Sequence, residues 1–478
     1  MFLSVNDVLK YCSDNAIKMI DFKTIDIDGR WRHVTIPVQR FDEETIKYGI
    51  GFDGSNYGYA PVERSDMVFI PDPAEAHIDP FADIATLSMT GNVYVIHSGG
   101  NLPFDQYPRS VSLRAEAYLR ESGIADSMII GPEFEFHILE RVRYECAPRR
   151  VVFEADVPQA EWPGGGGNDD GNFGYRIPVK GGYHITPPHD INYGLRSRMC
   201  LLLEDWGIKV KYHHHEVGAP GQQEIEVELG GMTEMADKTM AVKYIVKNAA
   251  VAENKTATFM PKPFFSEAGN GMHVHMLLMK EGSPLFYDET GYSGLSLRAH
   301  WFMGGLLRHA ASLCGLTNPS TNSFRRLVPG FEAPVTIGYA TSNRSAVIRI
   351  PAYTKSPLTK RFELRSPDAT CNPYFAYAAI LMAGIDGILN KIDPRQEGWG
   401  PFDHNLYTLD AEERSKLTSL PASLGEALDA LERDNAYLTR GGVFPEALLT
   451  TWIKRKRDES EAINKIPHPA EYARYFDM

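Results

Sequence analysis

Four short stretches hold side chains whose types and spacing suit chemistry at a metal ion or a phosphate. In Gly131-Pro132-Glu133-Phe134-Glu135-Phe136 acids alternate with aromatics. On a β-strand that pattern puts Glu133 and Glu135 on one face and the two phenylalanines on the other. His273-Val274-His275 repeats the alternation behind Gly269-Asn270-Gly271, His213-His214-His215-Glu216 leads on to Glu224, and Glu363 stands two residues before Arg365. An isolated pair of this kind is ordinarily a solvated strand face, and a lone strand histidine a satisfied hydrogen-bonding group. Four clusters at strand-like positions favour convergence instead.

A converged set would be rich in carboxylate oxygen with one or two imidazoles, a donor mix that suits Mg²⁺ or Mn²⁺ better than zinc. No HExxH occurs, which excludes a zincin protease. Divalent ions in such a box would bridge nucleotide phosphates during phosphoryl transfer, and on the carboxylates alone a metal-dependent hydrolase fits too. Arg325, Arg326, Arg344, Arg349, Arg361 and Arg365 fall in the same part of the chain as Glu363. Their forked guanidinium groups suit carboxylate and phosphate oxygens, with Arg325 and Arg361 expected at the surface.

The elements that must position these groups read as follows. The first hundred or so residues alternate short apolar runs with turns, including an expected hairpin at Asp28-Gly29, and form a small, mostly β unit with one helix near its start. VSLRAEAYLRESG then reads as a helix with Gly123 at its C-cap, and the domain boundary falls near residue 106, giving domains 1–106 and 107–478. In the second, strand-like segments (SMIIGPEFEFHIL, QEIEVEL, GMHVHMLLM, SAVIRIP, RFELRSP) interleave with helical ones around 190–207, 232–254, 295–315 and 373–391, which makes it mixed α and β. Glu161 to Gly174 reads as a mobile loop. Its four consecutive glycines are followed by no Lys-Ser or Lys-Thr, so no P-loop is present.

Composition narrows the class. With 49 Lys and Arg against 62 Asp and Glu, the formal charge of −13 disfavours a nucleic-acid partner. The five cysteines form no CxxC pair, which suits a reducing compartment. The N-terminal MFLSVNDVLKYCSDN shows no basic leader with an apolar stretch, and no run approaches a membrane span. A soluble cytoplasmic protein with no membrane partner is expected.

At these residues the sequence resembles type I glutamine synthetase, from near its start to its last residues. The motifs stand in the family's order: Phe52-Asp53-Gly54-Ser55, GPEFEF at 131–136, KGGY at 180–183, HHHEVGAPGQQE at 213–224, GNGMHVH at 269–275, NPSTNSFRRLVPGFEAP at 318–334, NRSAVIRIP at 343–351 and RFELRSPD at 361–368. The resemblance implies an α+β fold, with a small N-terminal β-grasp-like domain and a large C-terminal α/β catalytic domain whose curved sheet forms an active-site funnel. It implies ATP-dependent ligation of ammonia to the side-chain carboxylate of glutamate through γ-glutamyl phosphate, in a dodecamer of two hexameric rings.

Carried over by position, the resemblance makes Glu135, Glu216 and Glu224 ligands of a metal near glutamate, and Glu133, His273 and Glu363 ligands of a metal on the ATP phosphates. Asp53 would bind ammonium in a neighbouring subunit's site, with Tyr183 in the same pocket. Glu332 would close the site and take a proton from the adduct. Arg326 and Arg365 would grip glutamate, whose backbone-side contact is Gly269. Arg344 would hold the transferring phosphoryl group, while Arg349 and His275 would face ATP. Where the family usually has a second Ser after FDGS this chain has Asn56, and Ala268 replaces an Asn. Glu226-Val227-Glu228-Leu229-Gly230 departs from the usual continuation after Glu224. Tyr407 resembles a loop tyrosine that some members have adenylylated. Asn56, Tyr57 and Ala268 motivate a second reading, a γ-glutamyl ligase for a small organic amine. A third, a non-catalytic nitrogen-sensing assembly, has the intact ligand set against it.

Overall fold

Short apolar runs punctuated by turns build the small domain. A computed structural model describes residues 4–97, 99–161, 174–330, 333–404, 406, 410, 412–413 and 417–478. After an N-terminal helix, Val5–Asp14, capped by Ser4, the strands lie in the order Trp31–Pro37, Met19–Ile25, Thr86–Val95, Asp66–Ile78, Ile50–Asp53. Met19–Ile25 runs parallel to Thr86–Val95, and the other neighbours are antiparallel. The turn expected at Asp28-Gly29 joins the first two strands, with Gly29 at φ 78°. A Cβ there would stand 2.8 Å from the Asn372 backbone, so the turn rests directly on the large domain, where Asn372 Nδ2 donates to the Ile27 carbonyl at 3.2 Å.

Charges buried at the seam hold the two parts together. Lys23 pairs with Asp21 at 2.7 Å and Asp79 at 3.1 Å, and Tyr244 of the large domain donates to Asp79 at 2.8 Å. From the large domain Arg109 donates to Asn92 of the small one at 3.4 Å, while pairing with Asp237 at 3.2 Å, which also accepts from Tyr374 at 2.5 Å. Removing one member of such a set would strand a buried charge.

In the large domain the sheet path runs Val210–His215, Gln222–Val227, Ser127–Leu139, Val274–Lys280, Phe362–Leu364, Ala346–Ile350, Thr336–Thr341, curled into a half-barrel. All pairs on this path are antiparallel except the last, which is parallel. Phe134 and Phe136 are fully buried on the core side. The helices Met232–Ala252, Leu297–Arg308 and Pro373–Leu389 supply much of that core, and the last is buried from Pro373 to Gly387. It meets Leu297–Arg308 backbone to backbone. A Cβ on Gly305 would lie 2.0 Å from the Ala383 carbonyl oxygen, and one on Gly387 2.5 Å from the Gly305 nitrogen.

Two elements differ from the sequence expectation. The single helix anticipated over 295–315 is divided at His309, whose ring bonds Asp434 at 2.8 Å and Asp386 at 3.1 Å. A hairpin, Arg141–Ala147 with Arg150–Asp156, forms its own two-stranded sheet. It leaves Tyr144 and Phe153 exposed, so neither face carries the buried alternation that announces a strand. Of the glycine-rich stretch, residues 162–173 lie outside the described residues. No helix among the described residues is long and apolar enough to cross a membrane.

Gly387→Ala should force the two helices apart and cost about 1–3 kcal/mol of stability. A lowered thermal midpoint would register this, and an unchanged one would show that the helices separate freely.

Candidate active site

Strand register assembles the acidic face. Gln222–Val227 pairs with Ser127–Leu139 so that Glu224 stands opposite Glu135 and Glu226 opposite Glu133. On the outer neighbour His214 stands opposite Glu224, and on the other flank His275 stands opposite Glu363. Glu133 and Glu135 are only 9% and 5% exposed. The solvated face ordinarily expected of an isolated acid pair is therefore corrected: these carboxylates are walled in by the curl of the sheet and by the 269–275 segment.

Burial of so many like charges sets their protonation. The Glu133 carboxylate accepts from both imidazoles, His275 Nε2 at 2.7 Å and His273 Nδ1 at 2.9 Å. Burial pushes its carboxyl up, but the two imidazoles outweigh that and hold it well below the usual range. Glu363 is likewise raised by burial and by Glu133, yet held low overall by Arg365 and the same histidines. Glu216 and Glu224 have too little such relief. Burial together with the charges of neighbouring glutamates raises both well above the ordinary value of 4.5, and His214, at 3.7 Å from Glu216 and 3.6 Å from Glu224, is their near base.

Three groups have ligand atoms within 4.8 Å of one another: Glu133, His275 and Glu363; His214, Glu216 and Glu224; and Glu133, Glu224 and Glu226. Oxygen-dominated sets of this size suit a hard divalent cation. The buried Glu216 Oε2 has no hydrogen-bond partner among the described residues, as expected of an oxygen meant for an ion. Both imidazoles touch Glu133, but it is His275, expected to face ATP, that completes the tight triad. His273 Nδ1 lies 3.5 Å from Glu363, and its Nε2 lies 3.7 Å from Glu135. Glu135 also accepts from the Gly271 backbone at 2.7 Å.

The arginines frame the same face. Arg349 and Arg365 grip the two oxygens of Glu363 at 2.6 and 3.0 Å. Arg326 is buried, donates to the Ser366 and Arg365 carbonyls at 2.8 and 3.1 Å, and approaches His273 at 3.4 Å. Arg361, expected at the surface, is 5% exposed. The strand Phe362–Leu364, which begins one residue later, is buried throughout. Arg344 is exposed, and its charge pulls the Tyr183 phenol and the Glu216 carboxyl down against the stronger effect of burial.

The remaining expected residues are placed unevenly. Tyr183 is half exposed and stacks on His184 at 4.1 Å, with its edge toward His214. A Cβ on Gly269 would lie 2.3 Å from the Pro261 carbonyl oxygen and 2.9 Å from Arg326 Cγ, so glycine is needed there for packing. Asp53 ends a small-domain strand, exposed, with hydrogen bonds from Ser55 N at 2.9 Å, Ser55 Oγ at 2.7 Å and Asn56 Nδ2 at 2.7 Å. Those bonds hold its carboxyl below the usual range. Glu332 and Tyr407 lie outside the described residues.

Comparison with known proteins decides the family. The model of the glutamine synthetase catalytic domain matches residues 105–475, and that of the glutamine synthetase β-grasp domain matches residues 16–96. The chain belongs to the glutamine synthetase family. It is 46% identical to glutamine synthetase of Frankia alni, with all of both chains covered. It is 43% identical to that of Mycobacterium tuberculosis, with 99% of both covered. Among solved structures, Plasmodium falciparum glutamine synthetase superposes with a TM-score of 0.87 at 28% identity, covering 99% of each chain. GmaS without ligand superposes with a TM-score of 0.78 at 27% identity, covering 99% of this chain and all of that one. The expected α+β architecture of a β-grasp domain and a large catalytic domain with a curled sheet stands.

Three residues of this glutamine synthetase fold escaped the sequence reading. His214 sat in a quoted run but was given no role. Glu226 repeats after Glu224 the same alternation that drew attention to Glu133 and Glu135. Arg196 is buried, pairs with Asp190 at 2.8 Å, donates to His213 at 2.8 Å and contacts Gln223. It thus pins the strand that leads into Glu216 to the one that carries Glu224, and no local pattern announces it.

Because Glu216 and Glu224 hold their protons above the ordinary carboxyl range, a cation must displace them. Chelator-stripped protein should release protons when Mn²⁺ binds, and should bind Mn²⁺ more weakly in mildly acidic than in neutral buffer. Calorimetry in buffers of different ionisation enthalpy reads both effects, and binding without proton release would show the carboxylates already ionised.

Proposed function

We propose that this chain makes glutamine from L-glutamate, ammonia and ATP through γ-glutamyl phosphate. The observation that carries the reading is the acidic face itself, set in a chain that matches both family domains. In this reading a γ-carboxylate oxygen of glutamate attacks the terminal phosphorus of ATP, and the bond to ADP breaks. Ammonia then attacks the acyl carbon, and the bond to phosphate breaks. A carboxylate is a poor electrophile until that first transfer has been made.

Glu135, Glu216 and Glu224, and Glu133, His273 or His275 and Glu363, would hold two divalent cations, Mg²⁺ or Mn²⁺. Such ions supply neutralisation of phosphate charge. Arg344 would meet the transferring phosphoryl group, Arg349 and His275 the nucleotide side. Arg326 and Arg365, beside His273 and Glu363, would meet the charge of the glutamate carboxylate, with Gly269 allowing the close backbone packing behind it. Asp53, kept ionised by Ser55 and Asn56, would bind ammonium and help remove its proton, with Tyr183 beside it and Glu332 taking a proton from the adduct. Asp53 makes its hydrogen bonds within its own loop, which supports service to a neighbouring subunit's site in a ring assembly, a dodecamer of two hexamers. A cytoplasmic enzyme without nucleic-acid or membrane partners fits the acidic charge. A small organic amine in place of ammonia is the second reading, favoured by Asn56, whose amide reaches the Asp53 carboxylate.

Phosphate release and glutamine formation with ATP, Mg²⁺ and glutamate should be strongest with ammonium and weak with methylamine, ethylamine or putrescine. An organic amine that outperforms ammonium would replace the first reading by the second. Asp53→Ala should lower ammonium-dependent turnover at limiting ammonium by roughly 10²–10⁴-fold, and wild-type turnover by that variant would remove Asp53 from the reaction.

A further inference from the structure

The exposed Asp53 carboxylate takes its three hydrogen bonds from the residues just after it, so its position depends on what holds that turn, Gly54–Tyr57. The far end of the turn is anchored to the small domain's first hairpin. The Tyr57 carbonyl accepts from Ile27 N at 3.2 Å, the Tyr57 hydroxyl accepts from Thr24 Oγ1 at 3.2 Å, and its ring centre lies 4.7 Å from that of Phe52. Gly58 follows at φ 80°. A Cβ there would stand 2.7 Å from Ile27 Cγ2 and 3.6 Å from an Arg455 guanidinium nitrogen, so the loop lies directly against the Asp28-Gly29 turn and the arginine behind it.

The large domain grips that turn in two places. Asn372 holds the Ile27 carbonyl. From the helix Glu446–Asn464, Arg455 Nε donates to Asp28 Oδ1 at 3.1 Å, another guanidinium nitrogen contacts Asp28 Oδ2, and Lys456 Nζ pairs with Oδ1 at 3.2 Å. The Asp28 side chain is only 13% exposed. Burial pushes its carboxyl up, but the two cations outweigh that and hold it below the usual range. A guanidinium fork that meets both oxygens of a carboxylate fixes direction as well as charge, which a lysine shared with Glu459 at 2.9 Å does not.

We propose that Arg455 is a positioning residue for Asp53: it clamps the Asp28 turn, on which the loop from Gly54 to Gly58 rests, and so sets where the Asp53 carboxylate meets ammonium. The inference rests on the role given to Asp53 under the proposed function. Arg455 touches no reacting group. It acts through Asp28, Ile27 and Tyr57, and it makes the nitrogen site sensitive to a helix more than four hundred residues away in the chain.

The test is steady-state kinetics of the full-length protein, with ammonium, glutamate and ATP each varied in turn. Arg455→Met should raise KM for ammonium by roughly 10–100-fold and leave kcat at saturating ammonium and the KM values for glutamate and ATP unchanged. Arg455→Lys, which keeps the charge without the fork, should fall between. Amide hydrogen exchange should rise at residues 54–59 of Arg455→Met. Unchanged KM for ammonium, or KM values for all three substrates that move together as in general destabilisation, would overturn the proposal. Should Arg455→Met fail to fold or assemble, Asp28→Asn, which keeps the shape and removes the charge, carries the same expectations and the same overturning results. Asp53→Ala, measured beside them, separates the two ideas. A response to ammonium lost in Asp53→Ala but normal in Arg455→Met removes the positioning role alone, and a normal response in Asp53→Ala removes the reading of Asp53 and this inference with it.

Discussion

Mutual repulsion among buried carboxylates is the constraint on which the rest of this structure depends. Glu133, Glu135, Glu216, Glu224, Glu226 and Glu363 are gathered on one face of a curled sheet with little water to screen them. Like charges at such distances are tolerable only with compensation close at hand. The fold supplies it unevenly. Glu133 has two imidazoles and Glu363 two guanidinium groups, whereas Glu216 and Glu224 have one half-buried histidine between them. That unevenness divides the face into a half the protein neutralises itself and a half left with raised carboxyls.

Rigidity follows from the same requirement. Ligand oxygens are useful only if held to within a fraction of an ångström, and the long strand Ser127–Leu139 achieves this by being paired on both sides and backed by Phe134 and Phe136 in the core. Arg196 locks the next two strands from behind through Asp190, His213 and Gln223. Close glycine contact between the helices Leu297–Arg308 and Pro373–Leu389 keeps the supporting layer thin and tight. The small-domain acid is held differently. Asp53 sits on an exposed loop of the small domain and is oriented by three local donors rather than by burial.

Much of this was legible in the sequence because strand periodicity is local. The alternation in GPEFEF put Glu133 and Glu135 on one face, the runs around residues 222 and 274 read as strands, and the order of motifs pointed to the family. The exposed hairpin at 141–156 and the helix division at His309 were not legible. The first has no buried face to pattern, and the second depends on Asp386 and Asp434, which are distant in sequence. Arg361 read as a surface residue because nothing in its neighbours announces the buried strand that begins beside it.

By itself the sequence determined which residues alternate, which turns admit glycine, and hence which acids face the same way on each strand. Register and neutralisation were decided only by the tertiary structure. Which strand lies beside which is a property of the whole curled sheet, and it alone set Glu226 opposite Glu133 and His275 opposite Glu363. The protonation of each carboxyl then followed from burial and from charges brought near by folding, quantities that have no local signature because an electrostatic field is summed over space and not along the chain.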